Sequence, residues 1–478
     1  MAPPWAPHLP EDILLQIFAA LDVPDLACAG SVCSSWHGAY TSLCNLGRWK
    51  QQQTPCLLYT AKSRGQSAAC LYSLAEKKAY TLALPDPPIR SRYLIGSAYG
   101  WIITADESSE LDLLNPITGD QIALPSVTTM DHVKPIYNKN GVVKKYEVWR
   151  HNDNPSKIRV FGLRELRKSF FVKAFLSSDP STGDYIVVLI HRFLSQLSFA
   201  RSGDDHWTLL HPHEFVADCV FKDGILYVLT QLQEIQAFDF SGPAVEQKLI
   251  LDRIEIYYRY VRMYIVQAPC GDLLQIRVAY DHSASQPELD SMEEDGYFSE
   301  DDDLPCPAYS TSFEVCRVDL AARKRVQISS LDESVLFLGL GQSLCLHAEG
   351  YPKLKANHVY FTDDDGFMFL GANNRRRNIG VVSLSNTNII ENITSPQIWS
   401  NWPNPLWITP NPQKMNSAMG GSTEEVQAPS TSCRTFGFQH GWSVALLFLV
   451  FLLFVVSVSF RAPTKFFVCL PLNSALHS

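Results

Sequence analysis

The fold class predicted by this sequence is a small all-α helical module, followed by an all-β propeller of six or seven blades and a C-terminal hydrophobic helix. Three observations lead to it. Ile13, Leu14, Ile17, Phe18 and Leu21 recur at steps of one, three and four, which marks one face of a helix. From Cys56 onward long amphipathic helices disappear, and short apolar runs alternate with turn residues at a spacing of roughly 8–12 residues. Between Trp442 and Phe460 lie nineteen consecutive residues without a charge.

The helical module is assigned to residues 5–45. Pro10 suits the start of a helix, and Glu11 and Asp12 favour the positive end of its dipole. Asp22-Val23-Pro24 breaks the pattern, and Pro24 opens a second helix with Leu26, Ala29, Val32, Cys33 and Trp36 on its inner side. Two or three short helices in about 35 residues cannot bury their apolar faces alone, so the module needs a partner. The combination of Leu9-Pro10, Ile13-Leu14, Ile17, Leu21, Asp25-Leu26, and Val32-Cys33 three residues before Trp36 resembles the F-box. That resemblance implies docking on the SKP-type adaptor of an SCF ubiquitin ligase. It implies adaptor contacts for Leu9, Pro10, Ile13, Leu14, Ile17, Leu21, Leu26, Val32 and Trp36. Gly30 and Ser34 stand where the family often has basic residues. Gly30 lowers helix stability by roughly 1 kcal/mol relative to Ala, which predicts a weaker grip.

Residues 46–54, with three consecutive glutamines, read as a polar connector. Cys56 to Thr60 is a strand; Leu71 to Leu74 and Ala79 to Leu82 flank a Glu76-Lys77-Lys78 turn. Gly100 to Thr104 and Leu111 to Leu114 follow, and Gly119 closes the turn after Asn115 with positive φ. Gln121 to Pro125 ends that unit. The same texture returns at Asp184 to Ile190, Gln196 to Ala200, Trp207 to Leu210, Asp218 to Phe221, Ile225 to Leu229 and Ile235 to Phe240. Lys222-Asp223-Gly224 makes a hairpin turn between two of these. Further strands are Tyr264 to Gln267, Leu273 to Ala279, Phe313 to Val318, Val335 to Leu338, Val359 to Thr362, Ile379 to Ser383 and Ile389 to Ile393. Residues 55–411 are too many for one sandwich, and at about 40–50 residues per four-stranded blade they fit a closed propeller. Closure requires the first strands to pair near the Trp402–Pro410 segment, because it removes sheet edges.

Several stretches resemble the plant domain of unknown function 295, the KIB-type propeller that follows an F-box. They include Leu113 to Gly119 with Leu124-Pro125, Ser177 to Pro180, Asp218 to Tyr227, Asn357 to Asp364, and Trp402 to Pro410. The resemblance spans residues 55–411, interrupted at residues 286–307 by an acidic insert. From Glu288 to Asp303 that insert holds nine acidic residues and no basic one, a composition that cannot bury a core. Ser291 and Ser299 precede acidic residues and suit an acid-directed kinase, although a solvated, unregulated insert is the plainer reading.

A net charge of −9 argues against a general nucleic-acid binder, and Arg375-Arg376-Arg377 reads as a solvated loop. The twelve cysteines include no CxxC pair and read as free, mostly buried thiols. No HExxH, GxSxG, P-loop or zinc-spaced Cys/His set occurs. His211-Pro212-His213-Glu214 lacks a third ligand, so no metal, cofactor or catalytic residue is assigned. Trp399, Trp402 and Trp407 read as a packed closing segment. Residues 412–441 have linker composition, 442–460 are long enough to span a bilayer, and 461–478 form the tail.

Two functions compete at this stage. One is a non-catalytic substrate-recognition subunit, tied through the adaptor to a cullin and a RING protein, with an unidentified target on the propeller. It would lie in the cytoplasm and/or nucleus, or on the cytosolic face of a membrane if 442–460 inserts. The other is a propeller enzyme or small-ligand sensor that carries an F-box.

Overall fold

The computed structural model describes residues 9–149, 158–192, 196–210, 215–242, 244–254, 261–281, 310–351, 353–362, 379–394, 398–400 and 402–415. The acidic insert with Ser291 and Ser299, the 375–377 arginines, the 211–214 stretch, the apolar run 442–460 and the tail lie outside these residues.

Three helices open the chain: α1 (Glu11–Ala19), α2 (Val23–Gly30) and α3 (Ser34–Asn45). Pro10 caps α1, and Glu11 and Asp12 occupy its first turn. Leu14 and Phe18 point inward, where Phe18 meets Trp36 edge-on at 5.4 Å between ring centroids. The second helix expected to run through Trp36 is instead two helices. α2 closes with Ser31 and Val32 amides bonded back to Cys28 and Ala29, and Cys33 is extended before α3 begins. Gly30 is the last residue of α2. A Cβ there would stand 2.7 Å from Tyr40 Cγ, so its missing side chain lets α3 cross α2 closely. The helix weakness read from the sequence is therefore a packing requirement.

Among the described residues the β strands form seven sheets. The first joins β1 (Cys56–Tyr59), β2 (Ala68–Ser73) and β3 (Lys78–Ala83) to β28 (Leu406–Ile408) from the far end of the chain. The second is β4 (Tyr93–Ala98), β5 (Trp101–Ala105), β6 (Leu111–Leu114) and β7 (Gln121–Ala123). A three-stranded sheet follows: β8 (Val133–Tyr137), β9 (Val143–Val148) and β10 (Arg159–Gly162), then α4 (Leu163–Phe170). The next four-stranded sheets are β11 (Phe171–Leu176) to β14 (Thr208–Leu210), β15 (Val216–Lys222) to β18 (Glu246–Leu251), and β19 (Val261–Gln267) to β22 (Lys324–Ile328). The last sheet has order β24-β23-β25-β26-β27, with β23 (Ser334–Leu338) parallel to β25 (His358–Thr362). Its remaining strands are β24 (Leu344–His347), β26 (Ile379–Ser383) and β27 (Asn386–Asn392).

Six of these sheets are blades around a common centre. β4 lies beside both β28 and β11; β11 lies beside β15, β15 beside β19, and β19 beside β24. Phe337 of the last blade then packs on Trp407 of the first at 5.3 Å, which closes the ring. The β8–β10 sheet stands outside it, since β4 and β11 touch directly; a Cβ on Gly96 would lie 2.4 Å from the Ala174 carbonyl. Central strands such as β5 are buried at every position because neighbouring blades cover both faces.

The strand pairing that closure requires is present: Cys56, Leu57 and Leu58 face Ile408, Trp407 and Leu406. The Lys222-Asp223-Gly224 hairpin has positive φ at Asp223 and Gly224, the geometry of a type I′ turn. Gly119 likewise adopts φ 80° as its amide bonds to the Asn115 carbonyl. Past β28 the chain continues as a strap. Asn411 Nδ2 donates to the Tyr99 carbonyl at 2.9 Å and to Asp179 at 2.7 Å, and Asn115 donates to the Asn411 carbonyl at 3.0 Å. The strap thus ties the first, second and third blades together.

Candidate functional site

The nine residues assigned to adaptor contact separate into two groups. Leu14, Leu26 and Trp36 are buried inside the helical module with Phe18, Val23 and Leu43. Pro10 is exposed, Ile13 and Val32 are each 38% exposed, and Leu9, Ile17 and Leu21 are half-buried. The first group builds the module; the second is an apolar surface that the described residues leave partly open. One helical periodicity signals both groups, and only the placement of α3 against α1 decides which residues stay outside.

The other side of the module is seated on the first blade. Lys50 donates to Asp22 at 2.5 Å, and the Val23 amide donates to Gln53 Oε1 at 2.8 Å. The Tyr80 hydroxyl on β3 donates to Asp25 at 2.6 Å, with Lys78 3.9 Å from the same carboxylate. Burial, and then the bond to Asp25, push the Tyr80 hydroxyl well above its ordinary range. Trp49, Gln53 and Thr54 are buried, so these three connector residues pack as part of this seat. The sequence signal for the seat was Asp25, which the helical pattern accounted for without reference to the propeller.

Comparison with known families resolves the identity of both parts. An F-box-like model matches residues 6–43. A model described as the KIB1-4 beta-propeller matches residues 71–383. The chain belongs to the KIB1-4 β-propeller family. F-box protein KIB4 of Arabidopsis thaliana is 28% identical over 244 residues, covering 49% of this chain and 60% of that protein. The Arabidopsis F-box protein At5g55150 is 21% identical over 409 residues, covering 85% of this chain and 97% of its own length. A solved structure of a functionally unknown Desulfotomaculum acetoxidans protein aligns over 75% of this chain at TM-score 0.34 and 8% identity.

Three adjacent inner strands of this KIB-type propeller are joined by a buried ion pair. Lys173 Nζ on β11 lies 2.9 Å from Asp218 Oδ1 on β15, with side chains 6% and 0% exposed. Asp218 Oδ2 accepts the Ile265 amide of β19 at 3.0 Å, so one carboxylate links three blades. Burial pushes the Asp218 carboxyl up, against the attraction of Lys173. The Lys173 ammonium also lies over the rings of Phe175 and Tyr264. A pair so enclosed is a structural pin.

A second buried polar group pairs His191 with Ser198 Oγ at 2.9 Å across β12 (Ile186–His191) and β13 (Gln196–Arg201). His191 stacks on Phe170 at 5.0 Å and lies 4.6 Å from the His132 ring. Both members of the Ser–His pair are at most 1% exposed. Among the described residues no group of three or more His, Cys, Asp or Glu is placed to hold a metal ion. The Trp399, Trp402 and Trp407 rings are buried, as a closing segment requires, and Trp402 Nε1 donates to the Arg90 carbonyl at 2.8 Å.

Proposed function

We propose that this chain is the substrate-recognition subunit of an SCF-type ubiquitin ligase. The helical module docks the SKP-type adaptor, and through it a cullin and a RING protein, while the propeller recruits a target. The observation that carries this reading is the open apolar surface of Leu9, Pro10, Ile13, Ile17, Leu21 and Val32 on an F-box-like module. The chain performs no chemistry of its own in this account. Catalysis is proximity, because a seated module fixes the distance between adaptor and target. Co-purification with an SKP-type adaptor, and its loss on Leu9→Ala/Pro10→Ala with the propeller still folded, tests it. Undiminished capture by that variant sinks it. In this reading the working regions are the F-box at 5–45, the connector at 46–54 and the propeller at 55–411. Ser291 and Ser299 of the acidic insert 286–307 suit an acid-directed kinase, while a solvated, unregulated insert stays the plainer reading.

The nineteen uncharged residues from Trp442 to Phe460 favour a membrane anchor as an addition to this role. Among the described residues no helix is long and apolar enough to cross a membrane, and 442–460 lies outside them. The anchor places the F-box and propeller on the cytosolic face. Fractionation of the full chain against a version ending at Gln413 tests this. Equal solubility of the two forms contradicts an anchor.

A further inference from the structure

We propose that the outward face of the β8–β10 sheet is a docking surface for an acidic protein segment that carries apolar side chains. The proposal rests on the ligase reading above and names the class of target.

Among the described residues, one face of the sheet is occupied. Val133, Tyr146 and Val148 are buried with Met130, Leu166 and Phe170, and the Tyr146 hydroxyl donates to the Ser108 carbonyl at 2.7 Å. Cross-strand partners share a face, so the register places Lys134, Ile136, Lys145, Glu147 and Val160 on the opposite one. At the β8–β9 turn Asn138 Oδ1 accepts the amides of Asn140 and Val142, and Gly141 takes φ 75°, which fixes the tip. Tyr137 and Val142 are 59% and 60% exposed there, Val160 is 50% exposed, and Ile158 is 42% exposed. Thirteen large apolar side chains are exposed among the described residues, and four lie on this small sheet or just beyond its strand ends, with Val160 on the outward face and Tyr137 and Val142 at the tip. Such concentration marks an interaction site more than scattered exposure does.

Charge selects the occupant. Lys134, Lys139, Lys144 and Lys145 are exposed on a chain whose net charge is −9. Lys134 has Glu147 directly opposite, whereas Lys145 faces Ile136 and Gly162. A positive face with apolar side chains between the lysines complements a negative segment with apolar side chains of its own. A polynucleotide would use the cations and leave Val142, Ile158 and Val160 in water, so a protein segment fits better. The face also lies outside the blade ring, so occupying it leaves the buried pin undisturbed.

The probe is a fluorescein-labelled peptide of about 15 residues alternating Glu with Leu and Phe, titrated by anisotropy against the full chain. Saturable binding is expected. Lys139→Glu/Lys144→Glu/Lys145→Glu should weaken it at least about tenfold, and Val142→Ser/Val160→Ser about threefold or more. Both variants should still capture the SKP-type adaptor. Absence of saturable binding, or unchanged affinity in the triple variant, overturns the proposal. So does displacement by single-stranded RNA or phosphatidylserine vesicles as potent as unlabelled peptide, since that describes a general polyanion surface. Peptide binding without adaptor capture by the unaltered chain defeats the ligase reading and leaves the docking face standing.

Discussion

Lys173→Met isolates the pin that joins the propeller's inner strands. The ammonium and the Asp218 carboxylate meet at 2.9 Å, with side chains 6% and 0% exposed. Methionine fills most of the lysine's volume, so little of the effect comes from a cavity. What changes is that a buried carboxyl loses the cation opposite it. Removing one partner of such a pair costs about 3–5 kcal/mol. Attraction to Lys173 is the main influence opposing burial at Asp218, so the carboxyl shifts further upward in the variant. A carboxyl raised on folding binds more protons in the folded state. Its contribution is retained below its unfolded range and lost as pH rises, so the deficit grows toward neutrality by up to about 1.4 kcal/mol per pH unit. Asp218→Asn alone should cost a similar amount by stranding Lys173. The double variant Lys173→Met/Asp218→Asn retains an acceptor for the Ile265 amide and should recover about 2 kcal/mol or more relative to additivity. Urea unfolding followed by tryptophan fluorescence at about pH 5 and about pH 7.5 reads all of these. A loss below about 1 kcal/mol, a loss independent of pH, or strict additivity refutes the pin.

Asn411→Ala removes the donor shared by Tyr99 and Asp179 and should lower stability by about 1–3 kcal/mol, read as a reduced urea midpoint. His191 behaves in the opposite sense to Asp218. Burial, with His132 beside it, holds its imidazole well below the ordinary 6.5. Its contribution is present above about pH 6.5 and is lost as pH falls below that, at about 1.4 kcal/mol per pH unit. His191→Asn should flatten that part of the stability profile, and an unchanged slope between about pH 6.5 and pH 5 would count against this assignment.

Which parts of the fold were legible depended on how each strand is buried. Strands covered on both faces, such as Trp101–Ala105 and Ile225–Thr230, appear in the sequence as continuous apolar runs with turns between them. Outer strands carry no such signal. Glu246–Leu251 is exposed at its first four positions, and Lys324–Ile328 has no buried residue, so neither stood out. The region between Pro125 and Ser177 was silent for a different reason. Its sheet is apolar on one face and basic on the other, and α4 is a short helix whose Arg167 is buried, donating to the Ser91 carbonyl at 2.5 Å. The module's motif was visible as a pattern, but the pattern could not separate Leu14 and Trp36, which build its core, from Ile13 and Val32, which face outward. Nor could it show that Asp25 grips the first blade and Asp22 the connector, because their partners Tyr80 and Lys50 lie 55 and 28 residues away.

The account turns on the open face of the helical module. Ile13→Asp/Val32→Asp changes two side chains that are each 38% exposed, so the fold should be retained. The measurement is the affinity of the purified full chain for an immobilised SKP-type adaptor, with thermal melting followed in parallel. Leu249→Asp, at a 40% exposed position on β18, serves as the control for a surface charge placed elsewhere. The account predicts at least a tenfold loss of adaptor affinity, about 1.4 kcal/mol or more, with melting unchanged and the control binding normally. Undiminished affinity in the double variant, or an equal loss in the control, would contradict it.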